Sequence, residues 1–255
     1  MEILGIDIGG TGIKGAPVKV KSGQMLTERF RIPTPSPSTP AAIAEAVNLI
    51  AKNFNWKGNI GIGFPAVVQN GIVKTASNIH PSWIGVQGEE LFGRATKCPV
   101  KLINDADCAG IAEMKFGQGK SFKGLAFMLT VGTGIGTALF IKRRLVPNSE
   151  LGHVLLNTQT AEEYASDSVR KNLNLDIIEW SSRFNEYLFY LEKLFWPELF
   201  IVGGGISKKF ESVMPHLTVS TKVLPALLLN DAGLIGAAIS AKKLSKKDFK
   251  KQFSI

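Results

Sequence analysis

Cysteine is scarce in this chain, with only Cys98 and Cys108 in 255 residues. Two isolated thiols make neither a disulfide framework nor a metal cluster, so a reducing, cytoplasmic setting is expected. Long apolar runs are missing as well. None approaches the ~18 residues of a membrane-spanning helix, which argues against a membrane partner. The opening MEILGIDIGG has an acid at its second position and moves straight into a strand pattern, unlike a signal or transit peptide. No G-x-x-x-x-G-K-[ST] loop occurs. The glycine spacing at Gly9–Gly12 is not that of a dinucleotide-binding fingerprint. Zinc-finger and aromatic–basic RNA-binding motifs are absent too, so nucleic acid is not the expected partner.

What remains is an ordinary globular composition, 45% hydrophobic and 20% charged, with an unusual net charge of +9. Six lysines (Lys242, Lys243, Lys246, Lys247, Lys250 and Lys251) crowd the end of the chain, and residues 246–255 read as a solvated basic tail. The body stays positive without them, which suits an anionic partner of some kind, whether nucleic acid, a membrane surface or a polyphosphate, and charge alone does not choose among them.

Along the chain, Glu2–Ile8 reads as a buried strand that stops at a glycine-rich turn. Apolar segments follow at Ile13–Val20 and Met25–Ile32. Residues 33–40, PTPSPSTP, carry four prolines in eight positions and form a loop into a helix over 41–52. Ile60–Phe64 is a strand stopped by Pro65, and Val100–Ile103 is another, leading into a helix through Lys115. Leu125–Thr130 opens a second glycine turn, and Gly136–Lys142 is its hairpin partner. A helix over 181–195, a strand at Leu199–Val202 and a last helix over 232–243 complete the pattern. The order strand, glycine hairpin, strand, strand, helix therefore occurs twice, from residue 2 and again from residue 125, predicting two α/β halves. The expected division is 1–104, joined by the helix 232–245, and 105–231.

The two turns carry the chemistry. Asp7-Ile8-Gly9-Gly10-Thr11-Gly12-Ile13-Lys14 sets an acid at a strand end before three glycines, a hydroxyl and a cation. Glycines free the backbone N–H groups to form an anion nest. Asp7 is suited to hold hydrated Mg²⁺ beside phosphate oxygens. Thr130-Val131-Gly132-Thr133-Gly134-Ile135-Gly136 repeats the device in the second half. Asn104-Asp105 sets a second carboxylate at a strand end, and Asp107, two positions on, is its in-chain competitor, which would instead cap the following helix. Glu150 and His153, three apart, can face one pocket.

Together, Asp7–Lys14, Asn104-Asp105, Thr130–Gly136, Glu150-Leu151-Gly152-His153 and Val202–Gly205 resemble the ROK family of sugar kinases, over roughly residues 2–241. The resemblance implies an actin/hexokinase-like (ASKHA, ribonuclease H-like) two-lobed α/β fold and phosphoryl transfer to a hexose. It makes Asp105 the catalytic base, and Asn78, Asn104, Asp105, Glu150, His153 and Glu162 the sugar contacts. Glu163, beside Glu162, leaves the register of that contact open. Asp7, Gly9, Gly10, Thr11, Gly12, Lys14, Thr130, Gly132, Thr133, Gly134, Gly204 and Gly205 fall on the donor side. Lys208, Lys209 and Lys222 are placed there by position.

One departure matters. The family's Cys-x-Cys-Gly-x-x-Gly-Cys zinc loop is replaced by VLLNTQT at 154–160, so no zinc is expected. In this, and in residues 147–153, 161–166, 191–205 and 225–238, the chain is similar to the zinc-less branch that phosphorylates glucose from inorganic polyphosphate. The alternatives are an ATP-dependent kinase for glucose, mannose or an amino sugar, and a non-catalytic sugar sensor. The family further suggests Mg²⁺ and a homodimer.

Overall fold

The computed structural model describes residues 1–244, so the predicted tail at 246–255 lies outside the described residues. The chain divides into two compact units, one of residues 1–112 with the stretch from Asp231, the other of residues 113–230.

In the first unit, β1 (Glu2–Ile8) turns into β2 (Ile13–Lys19), and β3 (Gln24–Met25) and β4 (Phe30–Ile32) both pair antiparallel with β2. The single strand expected over 25–32 is thus broken in two. Val18 faces Met25 and Ile13 faces Ile32, so five steps on β2 span seven on its partner, and the surplus leaves the ladder. Helix α1 (Pro40–Asn53) begins at Thr39, whose hydroxyl accepts from the Ala42 amide, and Pro40 supplies the preset φ of a first helical residue. The chain continues through β5 (Ile60–Phe64), a ribbon of β6 (Val68–Gln69) and β7 (Ile72–Val73), α2 (Gly88–Thr96), β8 (Val100–Asn104) and α3 (Asp105–Phe116). Sheet order is β3-β2-β1-β5-β8, with β1, β5 and β8 parallel.

The second unit repeats this plan. Strands β9 (Leu125–Val131), β10 (Ile135–Ile141) and β11 (Arg144–Val146) form a meander. A ribbon of β12 (Leu155–Leu156) and β13 (Gln159–Thr160) leads to α4 (Ala161–Ala165), α5 (Asp167–Asn172) and α6 (Ile177–Phe195). Then come β14 (Leu199–Gly204), α7 (Phe210–Val213) and β15 (Lys222–Pro225), giving the order β11-β10-β9-β14-β15. A glycine hairpin followed by parallel strands therefore appears in each unit, as the element order predicts. Helix α6 starts four residues before the expected 181 because Asp176 and Glu179 make a reciprocal capping box there.

Each unit has its own apolar core. Leu4, Ile6, Val47, Ile62, Phe64, Trp83 and Phe92 fill the first, and Phe127, Leu129, Trp180, Phe184, Leu188 and Phe200 the second. The C-terminal α8 (Ala232–Ser240) belongs to the first unit and packs on β1 and β5. It comes so near that any Cβ on Gly61 would strike the Ala237 carbonyl. The expected helix to 243 ends in a 3-10 turn, Ala241–Lys243. Among the described residues no helix is long and apolar enough to cross a membrane.

Candidate active site

The first glycine turn joins β1 to β2 and closes with the Gly9 amide donating to the Gly12 carbonyl at 3.2 Å. Asp7 sits just before it, with Lys14 Nζ 4.0 Å from its carboxylate. Burial pushes the Asp7 carboxyl above the ordinary range, against the opposing pull of Lys14 and Arg29. Two residues missed by the sequence reading buttress this turn. Arg31 donates to the Thr11 carbonyl at 2.8 Å and lies beneath Gly12, and the Thr34 hydroxyl donates to the Gly9 carbonyl at 2.5 Å. Their only sequence signal was position, since β4 pairs with β2 beside the turn.

Next to the turn lies a cavity of about 270 Å³, walled by Ile8, Gly9, Gly10, residues 34–38, Pro65, Asn78, Ile79 and His80. Asn78 and the first glycine turn thus share one pocket. The proline-rich loop forms its other wall, pinned where the Trp83 indole donates to the Ser38 carbonyl at 2.9 Å.

Asn104 and Asp105 stand at the end of β8 and the start of α3. Asn104 is buried, and its side chain is occupied at both ends: Oδ1 accepts from the Asp107 amide at 3.0 Å and Nδ2 donates to the Ala66 carbonyl at 3.3 Å. The helix cap expected at Asp107 is therefore Asn104. Asp107 lies one turn inside the helix, and its amide is the donor that the cap satisfies. The Ala106 amide donates to Asp105 Oδ1 at 2.8 Å, fixing the direction of a half-buried carboxylate.

In the second unit Glu150, His153 and Glu162 form one cluster. The imidazole is flanked on both sides, with Nδ1 3.6 Å from Glu150 Oε2 and Nε2 3.3 Å from Glu162 Oε1. Burial raises the Glu150 carboxyl above its usual range; His153 opposes the shift and the Glu162 charge adds to it. Glu162 and Glu163 point to different partners. Glu163 closes a capping box with Thr160, while Glu162 turns inward and its Oε2 accepts from the Ile135 amide at 3.2 Å. The Thr137 hydroxyl holds the loop bearing Glu150, donating to the Ser149 carbonyl at 2.5 Å and accepting from the Leu151 amide at 3.1 Å.

The second glycine turn closes from the Gly132 amide to the Gly134 carbonyl at 3.0 Å. Beside it, β14 ends at Gly204, which pairs with Val131 and adopts φ +82. A side chain there would be strained and would also strike Val131. Thr130, Gly132, Thr133, Gly134, Gly204 and Gly205 are thereby brought together at neighbouring strand ends. Lys208 and Lys209 follow, exposed, in the 3-10 turn Gly205–Lys209. Lys222 is exposed at the start of β15, the opposite strand end from Gly204.

Two parallel-stranded units, each with a glycine turn at a strand end, and carboxylates on Asp105, Glu150 and Glu162 define the architecture of a sugar kinase of the actin/hexokinase type. The chain belongs to the ROK family, whose model matches residues 3–167. It is 42% identical to the polyphosphate glucokinase of Mycobacterium tuberculosis over 243 residues, covering 93% of this chain and 90% of the relative. The polyphosphate glucokinase of Mycobacterium leprae is 39% identical, over 93% of this chain and 74% of the relative. Among solved structures, the inorganic polyphosphate/ATP-glucomannokinase of Arthrobacter sp. strain KM superposes with a TM-score of 0.91 at 44% identity, over 94% of this chain and 98% of that one.

Proposed function

We propose that the protein is a polyphosphate-dependent glucokinase, transferring the terminal phosphoryl group of inorganic polyphosphate to the 6-hydroxyl of glucose. The observation that carries the donor assignment is the likeness, over nearly the whole chain, to mycobacterial and Arthrobacter enzymes whose names specify polyphosphate. ATP is a second donor in this reading, because the Arthrobacter enzyme is named for both.

In this reading Asp105 accepts the hydroxyl proton as the hydroxyl oxygen attacks phosphorus in line. The Ala106 amide keeps its carboxylate in one orientation. Glu150, His153 and Glu162 bind sugar hydroxyls, since carboxylates accept and the imidazole, between two carboxylates, donates. Asn78 contributes from the wall of the first unit's cavity. Asn104 acts mainly by capping the helix that begins with the base.

On the donor side the backbone amides of the glycine turns take phosphate oxygens, with Lys14 serving the first unit's turn and Lys208 following the Gly203–Gly205 turn of the second. Asp7 fits a magnesium ion: it is a hard-oxygen donor beside a phosphate nest, and burial disfavours its charge more than Lys14 and Arg29 relieve it, so a further cation would be welcome there. Such an ion would neutralise charge on the phosphoryl oxygens, while Asp7 and Lys14 orient the donor. A zinc-free fold, a cytoplasmic setting and a homodimer belong to the same reading.

The test is glucose 6-phosphate formation by purified protein with glucose and Mg²⁺, supplied with either polyphosphate or ATP. Turnover with polyphosphate is expected. Turnover with ATP alone would leave an ATP-dependent hexokinase in its place.

A further inference from the structure

The polyphosphate reading leaves open which residues meet the chain beyond the reacting phosphoryl group. In the second unit, α5 is tied to the second glycine turn, where the Ser168 amide donates to the Gly132 carbonyl at 3.1 Å. The residue before it, Asp167, is buried and faces Gly205, where a Cβ would lie 3.6 Å from Asp167 Oδ2. Since Gly204 pairs with Val131, the Gly132–Gly134 turn, the end of β14 and the start of α5 meet at one place within the second unit.

Two cations converge on that single carboxylate. Arg170 Nε lies 2.8 Å from Asp167 Oδ1, and Lys171 Nζ lies 2.6 Å from Oδ2. Burial works against ionisation of Asp167, but the hydrogen bonds and charges of Lys171 and Arg170 outweigh it and hold the carboxyl below the usual range. One carboxylate balances one cation, so the cluster keeps an excess positive charge. Arg170 engages Asp167 only through Nε. Among the described residues no hydrogen bond takes its two Nη groups. Lys171 is 65% exposed. Neither cation was singled out from the sequence.

We propose that Arg170 and Lys171, held in place by Asp167, form a distal donor subsite for a linear condensed phosphate, taking phosphoryl groups remote from the one transferred. This rests on the polyphosphate reading and sharpens it. A condensed phosphate repeats its charge along its length, so cations lying past the glycine turns reward each added phosphoryl group. A triphosphate ends too soon to gain from them. Because the carboxylate already fixes the guanidinium, less side-chain freedom is lost when the anion arrives. The alternative is that the two cations only offset the burial of Asp167, in which case they govern stability alone.

The experiment compares wild type, Lys171→Gln and the double variant Arg170→Gln/Lys171→Gln at saturating glucose, using long-chain polyphosphate and tripolyphosphate as donors, with melting temperatures recorded alongside. The KM for the long chain is expected to rise about tenfold in the double variant relative to its KM for tripolyphosphate. The slope of log kcat/KM for the long chain against log salt should shallow by about 0.7 for each cation removed. An unchanged long-to-short KM ratio and salt slope, whatever the melting temperature, overturns the subsite. Should the double variant fail to fold, Lys171→Gln keeps the Arg170–Asp167 pair and decides by the same slope. Wild-type protein that transfers nothing from polyphosphate overturns the donor reading itself, a result distinct from the other two.

Discussion

At Asp7 the chain keeps an acid where burial opposes its charge. Between the ordinary carboxyl range and the raised value, the folded state holds more protons than the unfolded one, so stability falls as pH rises through that window. The cost is present in full once the pH has passed the raised value. Asp7→Asn is therefore expected to raise the melting temperature increasingly as pH rises above the ordinary carboxyl range, and to abolish transfer; melts across pH with a turnover assay check both. Asp105 behaves differently, because its value is in the reaction. Asp105→Asn should bind glucose yet lose kcat by about three orders of magnitude or more, read by turnover and by calorimetric glucose binding. The pair at 162 and 163 separates in the same way. Glu162→Gln should raise the KM for glucose about tenfold. Glu163→Gln should leave that KM alone and lower only the melting temperature, since Glu163 serves the Thr160 cap.

Helix α6 shows how a buried polar group can be a liability. Trp180 on this helix donates from its indole to the Ala165 and Ser166 carbonyls at 3.0 and 3.2 Å, fixing α4 and hence Glu162. One turn further on from Phe184, Tyr187 is buried with its hydroxyl unpartnered, and burial followed by the Glu162 charge drives that hydroxyl's pKa upward. Removing an unsatisfied buried hydroxyl recovers part of its desolvation cost, so Tyr187→Phe is expected to be neutral or to stabilise by up to about 1 kcal/mol in denaturant unfolding. The helix itself was legible from its apolar spacing, but its start was not. Ile177 and Trp180 belong to the first turn only because Asp176 and Glu179 close on each other. The glycine turns, Asn104-Asp105 and Glu150-x-x-His153 were legible for a different reason: their residue types are tied to backbone geometry or to chemistry. Arg31, Thr34, Arg170 and Lys171 were not, because a long cation or a loop hydroxyl gains meaning only from the strand or carboxylate that tertiary pairing sets beside it.

In the whole molecule, the doubled plan visible in element order became two sheets with the same hairpin-and-parallel arrangement. Charge acts at this scale too. With a net +9, activity on polyphosphate should fall with added salt more steeply than any activity on ATP, checked by assaying both donors across a salt series. The close seat of α8 on the first sheet has a further consequence, for the order in which the chain can mature. The ribosome makes β1, β5 and β8 early, yet the helix that covers β1 and β5 is made only after all of the second unit. The second unit is complete at Asn230, before α8 has been made, so it is the one able to close first, while the earlier-made sheet waits without the helix that covers it. Chaperone dependence of the nascent chain should therefore trace to its oldest segment rather than to its newest.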